Sequence, residues 1–405
     1  MSARVVSLPA VEGGVPVRET FLPVAAPHVG PEEKAEVLAA LESGWLSTGP
    51  RVFEFERRLK AYVGAQHAIA LNSCTAGLHL ALVAAGIGPG DEVITTPLTF
   101  TATANVVLHV GATVVFADVD PQTGNLDPAA VERVLTPRTK AIIPVHYAGY
   151  PCDMAAFDRL AGGSDLLLLE DAAHAIGTRV AGVPVGAAAH RVAVFSFYAT
   201  KTLTTGEGGM LVTGREELAE RVRLLSLHGI SKDAWKRHSA AGSWYYEVLA
   251  PGYKDNMGEL AAALGLVQLE KLDGFIARRE AIAQAYNRAF RDLGGLVLPV
   301  EHPSVRHARY IYPLRLEEGA LRIPRDQFIE ALRAENIGTS VYFIPVHLHP
   351  YYRERFGYRE GAYPRAEAFS AASLALPLFP DMSERDVQDV IDAVTRLVAY
   401  YGRRS

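Results

Sequence analysis

Cysteine is scarce in this chain: only Cys74 and Cys152 occur among 405 residues. Two thiols make no disulfide framework, and their spacing matches no metal-ligand set. Long apolar runs are also missing; none reaches the roughly 18 residues that a bilayer crossing needs. The start, Met1-Ser2-Ala3-Arg4, leads into Leu8-Pro9 and Gly13-Gly14 without an apolar core of signal-peptide length. Basic excess is the third absence. Lys and Arg number 40 against 45 Asp and Glu, for a formal charge of −5, so nothing is left over to neutralise nucleic-acid phosphates. A disulfide-stapled secreted domain, a membrane protein and a nucleic-acid binder are thereby disfavoured. A soluble protein of a reducing compartment, most simply the cytoplasm, is expected.

What is present suits a substantial core. Hydrophobic residues make up 49% and charged residues 21%, a globular balance, and the length accommodates two domains. Arg215, Arg221, Arg223 and the pair Arg278-Arg279 lie among glutamates on helical patterns and read as solvated helix faces.

Residues 1–24 read as an extended arm. Gly30-Pro31-Glu32-Glu33 opens the first helix, with proline at its first position and acids in the first turn. Val37, Leu38 and Leu41 form its expected apolar stripe, and Gly44 ends it. From 67 to 213 short apolar runs alternate with helical stretches, the signature of a largely parallel sheet. Candidate strands are 67–71, 92–96, 113–117, 140–145, 165–170, 192–198 and 208–213. Only about ten residues separate Tyr198 from Gly209, fewer than a parallel crossover requires. The last strand should therefore run antiparallel within a seven-stranded sheet.

Leu218, Val222 and Leu225 mark the next amphipathic helix, closed by His228-Gly229. Residues 230–257 carry Trp235, Trp244, Tyr245, Tyr246 and Tyr253 with little periodicity and read as an ordered loop. Residues 258–272 are apolar nearly all round, which predicts a buried helix. The large domain is thus expected over 25–274 and a smaller α+β domain over 275–405. That domain should hold a long helix from Ile276, a strand through Tyr310–Leu316, a helix through Phe328 and Leu332, a strand near Thr339–Phe343, and a closing helix capped by Ser383 with Asp386.

Lys201 is the most informative residue. It sits in Ser196-Phe197-Tyr198-Ala199-Thr200-Lys201, between an apolar strand and a Thr/Gly-rich turn, where its amine would enter the crevice at the carboxyl edge of a parallel sheet. Asp171 follows the apolar run Leu166–Leu169 and reaches the same edge. An amine and a carboxylate so placed suit a Schiff-base cofactor whose ring nitrogen must stay protonated. Asn72-Ser73-Cys74-Thr75-Ala76-Gly77 follows a strand and opens a helix; its hydroxyls cap that helix and its N–H groups can hold a phosphate. Ser196 offers another hydroxyl, Phe100 an aromatic for ring stacking, and His174 either a cofactor contact or a satisfied core histidine.

These segments resemble a known family. Thr75-Ala76-Gly77-Leu78-His79-Leu80, Gly86-Ile87-Gly88-Pro89-Gly90-Asp91-Glu92-Val93, Glu170-Asp171-Ala172-Ala173-His174-Ala175 and Ser196–Lys201 look like the DegT/StrS nucleotide-sugar aminotransferases. These are fold type I enzymes of pyridoxal 5'-phosphate (PLP), and the likeness runs from about residue 22 to 400. His228-Gly229, Pro251-Gly252-Tyr253-Lys254-Asp255-Asn256-Met257 and Pro377-Leu378-Phe379-Pro380-Asp381-Met382 look closest to the branch that aminates C4 of nucleotide-linked keto-sugars, which includes the 4-amino-4-deoxy-arabinose enzymes. The resemblance implies Lys201 as the Schiff-base lysine and Asp171 as partner of the pyridine nitrogen. It implies Thr75, Ala76 and Ser196 at the phosphate, Phe100 stacked on the ring and His174 near the ring oxygen. Asn256, with Lys254, is implied to reach the cofactor phosphate of a second subunit in a homodimer. Tyr198, His347 and His349 are candidate sugar contacts. Gly258 and Asp255 depart from the residues usual in relatives. The expected reaction moves an amine from L-glutamate, which leaves as 2-oxoglutarate, to the keto-sugar at C4, with C3 as the alternative. The related sugar dehydratases replace the lysine with histidine, so Lys201 opposes that reading. The intact site opposes a non-catalytic regulator.

Overall fold

The computed structural model describes residues 8–162, 165–231 and 245–403. Trp235 and Trp244 lie outside them. Seven strands form the principal sheet: β1 (His67–Leu71), β2 (Glu92–Thr95), β3 (Thr113–Phe116), β4 (Thr139–Ile143), β5 (Leu167–Asp171), β6 (Val192–Ser196) and β7 (Gly209–Thr213). Their spatial order is β1-β7-β6-β5-β4-β2-β3. β7 runs antiparallel to both β1 and β6, while the remaining pairs are parallel. The short link through Lys201 explains the reversal, since it holds no crossover helix.

The strands are apolar on both faces because helices cover both. Alternate residues divide between two cores. Ile69, Leu71, Val192, Val194 and Leu211 pack with the helices Cys74–Ala84 and Glu216–Leu225. Ala68, Ala70, Ala193, Phe195, Met210 and Val212 pack with Pro50–Val63 and the start of Glu259–Phe290. Gly77 lets its helix lie close on the sheet, because a Cβ there would stand 2.5 Å from Val194 Cγ1.

The two helices expected on either side of residue 274 are one helix of 32 residues, Glu259–Phe290. Gly274 sits mid-helix with open space where its Cβ would be. Its propensity penalty of about 1 kcal/mol is offset by packing at both ends. Leu266, Leu269, Leu272 and Ile276 join the large-domain core, and Ile282, Ala283, Tyr286 and Phe290 join the small-domain core. The expected domain boundary therefore falls inside a continuous helix.

The small domain carries an antiparallel sheet of Leu296–Val297, Tyr312–Leu316 and Ser373–Leu376. Residues 339–343 form no strand; only Ser340 bridges to Ala375. The strand expected there is supplied by Ser373–Leu376, which directly follows the helix Pro364–Ala372 and has too few residues to announce itself by pattern. The closing helix, Glu384–Tyr401, has the expected capping box of Ser383 and Asp386. The amino-terminal arm is tied to this domain: Ala10 and Val17 donate backbone N–H groups to the Glu335 carboxylate at 2.9 and 2.8 Å, and Leu22 bridges to Ile337.

Two helix faces differ from expectation. Arg279 is not solvated but 2% exposed, and its guanidinium donates to the carbonyls of Tyr310 (3.1 Å) and Leu378 (2.7 Å). In the first helix, Pro31–Glu42, Leu38 and Leu41 face outward while Glu33 and Ala40 are buried. Glu33 turns that face inward by accepting bonds from Gln268 and Lys271 on the long helix. No described helix is long and apolar enough to cross a membrane.

Candidate active site

The carboxyl ends of the parallel strands and the start of β7 border a cavity of about 470 Å³, whose lining includes Thr75, Phe100, Asp171, Ser196, Lys201 and Tyr310. Lys201 is presented by a turn held by its own side chains. Its N–H donates to Tyr198 O at 2.9 Å, Thr204 Oγ1 donates to Phe197 O at 3.3 Å, and Gly206 N–H donates to Thr204 Oγ1 at 2.9 Å. The residue is half-buried, with its amine directed into the cavity. Nζ lies 4.2 Å from the Tyr310 ring centroid. Burial lowers the amine's pKa to about 8, opposed by the nearby Asp171 carboxylate.

Asp171 ends β5 and is 6% exposed. Its Oδ2 accepts from Thr103 Oγ1 at 2.8 Å and its Oδ1 from the N–H of Ala173 at 3.1 Å. Burial raises its pKa; those two bonds and the Lys201 charge work against that rise. His174 stacks on Tyr310 with centroids 4.3 Å apart. Burial pushes its imidazole well toward the neutral form, and its buried Nδ1 has no hydrogen-bond partner.

At the other end, Ser73 caps the helix Cys74–Ala84 by accepting the Ala76 N–H at 3.1 Å. Thr75 lines the cavity and Ala76 does not; the Ala76 N–H is taken by Ser73. Ser196 lines it too, its Oγ accepting from Tyr198 N–H at 3.4 Å. β7 passes so close that a Cβ on Gly209 would stand 2.5 Å from both Cys74 N and Ser73 C.

Phe100 lies at the lip, 61% exposed, with Phe343 tilted 6.1 Å away. Tyr198 also lines the mouth. His347 and His349 are not in the lining. His347 is fully buried, with Nε2 2.9 Å from Glu367 Oε1, and His349 precedes the short helix Pro350–Phe356. Lys254 and Asn256 stand outside this cavity as well. Lys254 Nζ donates to Asn256 Oδ1, whose Nδ2 donates to Thr48 Oγ1 at 2.7 Å.

Thr103, Tyr310 and Tyr342 belong to the site without having been anticipated. Thr103 lies in the first turn of Thr101–His109, and Thr99, just before the Phe100 cap, places its Oγ1 2.8 Å from that of Thr103. Tyr310 and Tyr342 arrive from the small domain, which no local pattern announces.

The residues present suit PLP. Asp171 is a buried carboxylate with no ion pair among the described residues, fit for a protonated ring nitrogen. The unpartnered His174 Nδ1 suits a ring oxygen, a capped helix terminus suits a phosphate, and Lys201 suits the aldehyde.

The DegT/DnrJ/EryC1/StrS aminotransferase family matches residues 27–395. The spore coat polysaccharide biosynthesis protein SpsC of Bacillus subtilis (strain 168) is 55% identical over 382 residues, which cover 94% of this chain and 98% of SpsC. Among solved structures, the PLP form of Spr1654 from Streptococcus pneumoniae, described as a sugar aminotransferase, has a TM-score of 0.86 at 32% identity and covers 94% of this chain and 99% of its own. DesI in the presence of its TDP-sugar product has a TM-score of 0.84 at 35% identity, over 96% of this chain and 95% of its own. With its fold type I architecture and PLP as its cofactor, the chain belongs to the DegT/DnrJ/EryC1/StrS aminotransferase family.

Proposed function

We propose that this enzyme moves the amino group of L-glutamate onto a nucleotide-linked keto-sugar, at C4 of the sugar, in two half-reactions at one site. The observation that carries the reading is the meeting of Lys201 and Asp171 in one cavity at the carboxyl edge of the sheet. Bound PLP supplies the electron sink for the carbanion that develops at the donor's α-carbon. Asp171 keeps the ring nitrogen protonated by accepting its N–H. Lys201, with its pKa near 8, has a neutral fraction at neutral pH. Its Nζ would take the donor's α-proton and deliver it to the cofactor carbon that carried the aldehyde, and would reverse that transfer for the sugar. Thr75 and Ser196 hold the phosphate, with Ala76 shaping the helix terminus behind them; His174 orients the ring oxygen and Phe100 covers the ring.

Lys201 is the only lysine or arginine among the described lining residues, and it is committed to the aldehyde. A phosphate dianion then needs a cation from elsewhere, which supports a homodimer in which Lys254 and Asn256 serve the partner's site. The outward Leu38 and Leu41 suit such an interface. The TDP-sugar product of DesI supports the nucleotide-linked acceptor, and the resemblance of 251–257 and 377–382 supports C4. Tyr198, half-exposed at the mouth, is the sugar contact this reading retains.

The test is optical. Purified protein with PLP should absorb as a protein-bound Schiff base; L-glutamate should bleach the band, and 2-oxoglutarate or the matching keto-sugar should restore it. An unchanged band in Lys201→Ala, or indifference to L-glutamate, overturns the mechanism. A panel of nucleotide 4-keto and 3-keto sugars decides the position, and restoration only by 3-keto sugars overturns C4.

A further inference from the structure

Behind Asp171 stands a chain of buried hydroxyls. Thr103 is 0% and Thr99 2% exposed, their Oγ1 atoms lie 2.8 Å apart, and Thr103 Oγ1 lies 2.8 Å from Asp171 Oδ2. The direction of the chain follows from proton count. A carboxylate only accepts, and a threonine hydroxyl has one proton. Thr103 must therefore donate to Asp171, and Thr99 must donate to Thr103. Both threonines belong to the Thr96–Thr103 segment after β2, where Phe100 leads the helix Thr101–His109. That helix brings Thr103 to the carboxylate, and Thr99 Oγ1 reaches back across the first turn.

We infer that Thr103, oriented by Thr99, is a positioning residue that keeps the Asp171 carboxylate ionised and aimed at the ring nitrogen of PLP. This rests on Asp171 having the role proposed above. The argument is electrostatic. Asp171 is taken out of water, which favours its neutral acid. Other titratable and charged groups facing it are Lys201 from the turn after β6, Cys74 from the helix after β1, and His146 with Cys152 beyond β4. Burial raises both thiols, so they stay uncharged. His146 accepts the Cys152 N–H on Nδ1 at 3.0 Å and turns Nε2 to Glu170, at 2.9 Å, on the opposite side of the strand. Once Lys201 is joined to the cofactor its full charge no longer balances the carboxylate. Two neutral donors then remain on Asp171 itself: the Ala173 N–H on Oδ1 and the Thr103 hydroxyl on Oδ2. The first is backbone and would survive in any carboxylate at this position. The second depends on one side chain. Asp171 lines the cavity, and with Thr103 bonded to Oδ2 and the Ala173 N–H to Oδ1 its carboxylate is fixed at two points.

The experiment is a titration of full-length apoprotein with PLP, read by fluorescence from pH 5 to 8.5, for wild type, Thr103→Val, Thr103→Ser, Thr99→Val and Asp171→Asn. Affinity that depends on an ionised Asp171 must fall as pH drops through that group's pKa. Removing a donor raises this pKa, so in Thr103→Val the fall should begin about one pH unit higher, with roughly tenfold weaker binding inside the window. Thr99→Val should move it the same way by less. Thr103→Ser keeps the hydroxyl and should titrate as wild type even if it melts earlier. The inference is overturned if Thr103→Val titrates like wild type, or if Thr103→Ser shifts as far as Thr103→Val, which would assign the effect to the lost methyl. Asp171→Asn separates the two ideas: it should abolish the fall on the acid side and leave only the step set by the Lys201 amine near pH 8, and an acid-side fall that survives there refutes the role of Asp171 itself.

Discussion

Lys201 of the large domain points its amine at the face of Tyr310 from the small domain, with Nζ 4.2 Å from the ring centroid. The same ring stacks on His174 at 4.3 Å, and its backbone carbonyl accepts from the buried Arg279 at 3.1 Å. One tyrosine therefore joins the small domain to both Lys201, the proposed Schiff-base lysine, and the histidine beside it.

A ring face favours the ammonium over the amine by about 0.5–2 kcal/mol. Replacing Tyr310 with leucine should lower the Lys201 pKa below its value of about 8, by up to about one pH unit. Tyr310→Phe keeps the ring and should not move it. The pH dependence of the rate at which apoprotein recombines with PLP reports this, because only the neutral amine attacks. An equal shift in both variants would assign the effect to the hydroxyl, which lies 3.4 Å from Thr200 Oγ1.

The same lysine should destabilise the apoprotein. Its pKa falls from 10.5 when unfolded to about 8 when folded. Across that window the unfolded chain binds the extra proton, so stability rises with pH; below about 8 the penalty is fully present. Apo Lys201→Met should thus melt higher than apo wild type at pH 7, by roughly 1–4 °C, and the gap should close toward pH 10. Calorimetry that finds equal midpoints at pH 7 would contradict this.

Gly209 is required by close approach, since a Cβ would stand 2.5 Å from backbone atoms of Ser73 and Cys74. Neither neighbour is a flexible side-chain end. Gly209→Ala should destabilise by about 2 kcal/mol or more and displace the helix start expected to hold phosphate. Chemical denaturation and PLP dissociation should both register the change; an unaltered PLP affinity would separate β7 from the phosphate site.

His347 should behave as a core residue. It is fully buried, bonded to Glu367 at 2.9 Å and packed edge-on against Tyr363 at 4.8 Å. Burial pushes its pKa down, against the pull of Glu367. His347→Leu leaves the Glu367 carboxylate short of a donor and should cost about 1–3 kcal/mol of stability with little change in KM for the sugar. A raised KM at unchanged stability would return this histidine to the substrate.

Much of the large domain was legible from local pattern. The seven strands were readable because each is a short apolar run bounded by turn residues. The reversal of β7 was readable because the link from Tyr198 to Gly209 has no room for a crossover. The small domain was harder to read. Ser373–Leu376 is four residues long and directly follows a helix, so nothing in its pattern separated it from that helix. Thr339–Phe343 looked like a strand because it is β-branched and aromatic, yet Tyr342 and Phe343 spend those side chains on the cavity wall.

The sequence by itself determined which residues could carry the chemistry. Asp171 ends one apolar strand and Lys201 sits in the turn after another of a largely parallel sheet, and such ends share one edge whatever the strand order. Strand order and domain docking were decided only by the tertiary structure. They brought Thr103 to Asp171 and Tyr310 to Lys201, closed Arg279 inside the protein, and left His347 in the core. Those contacts join segments far apart in the chain, and no local periodicity records which buried side chain another will meet.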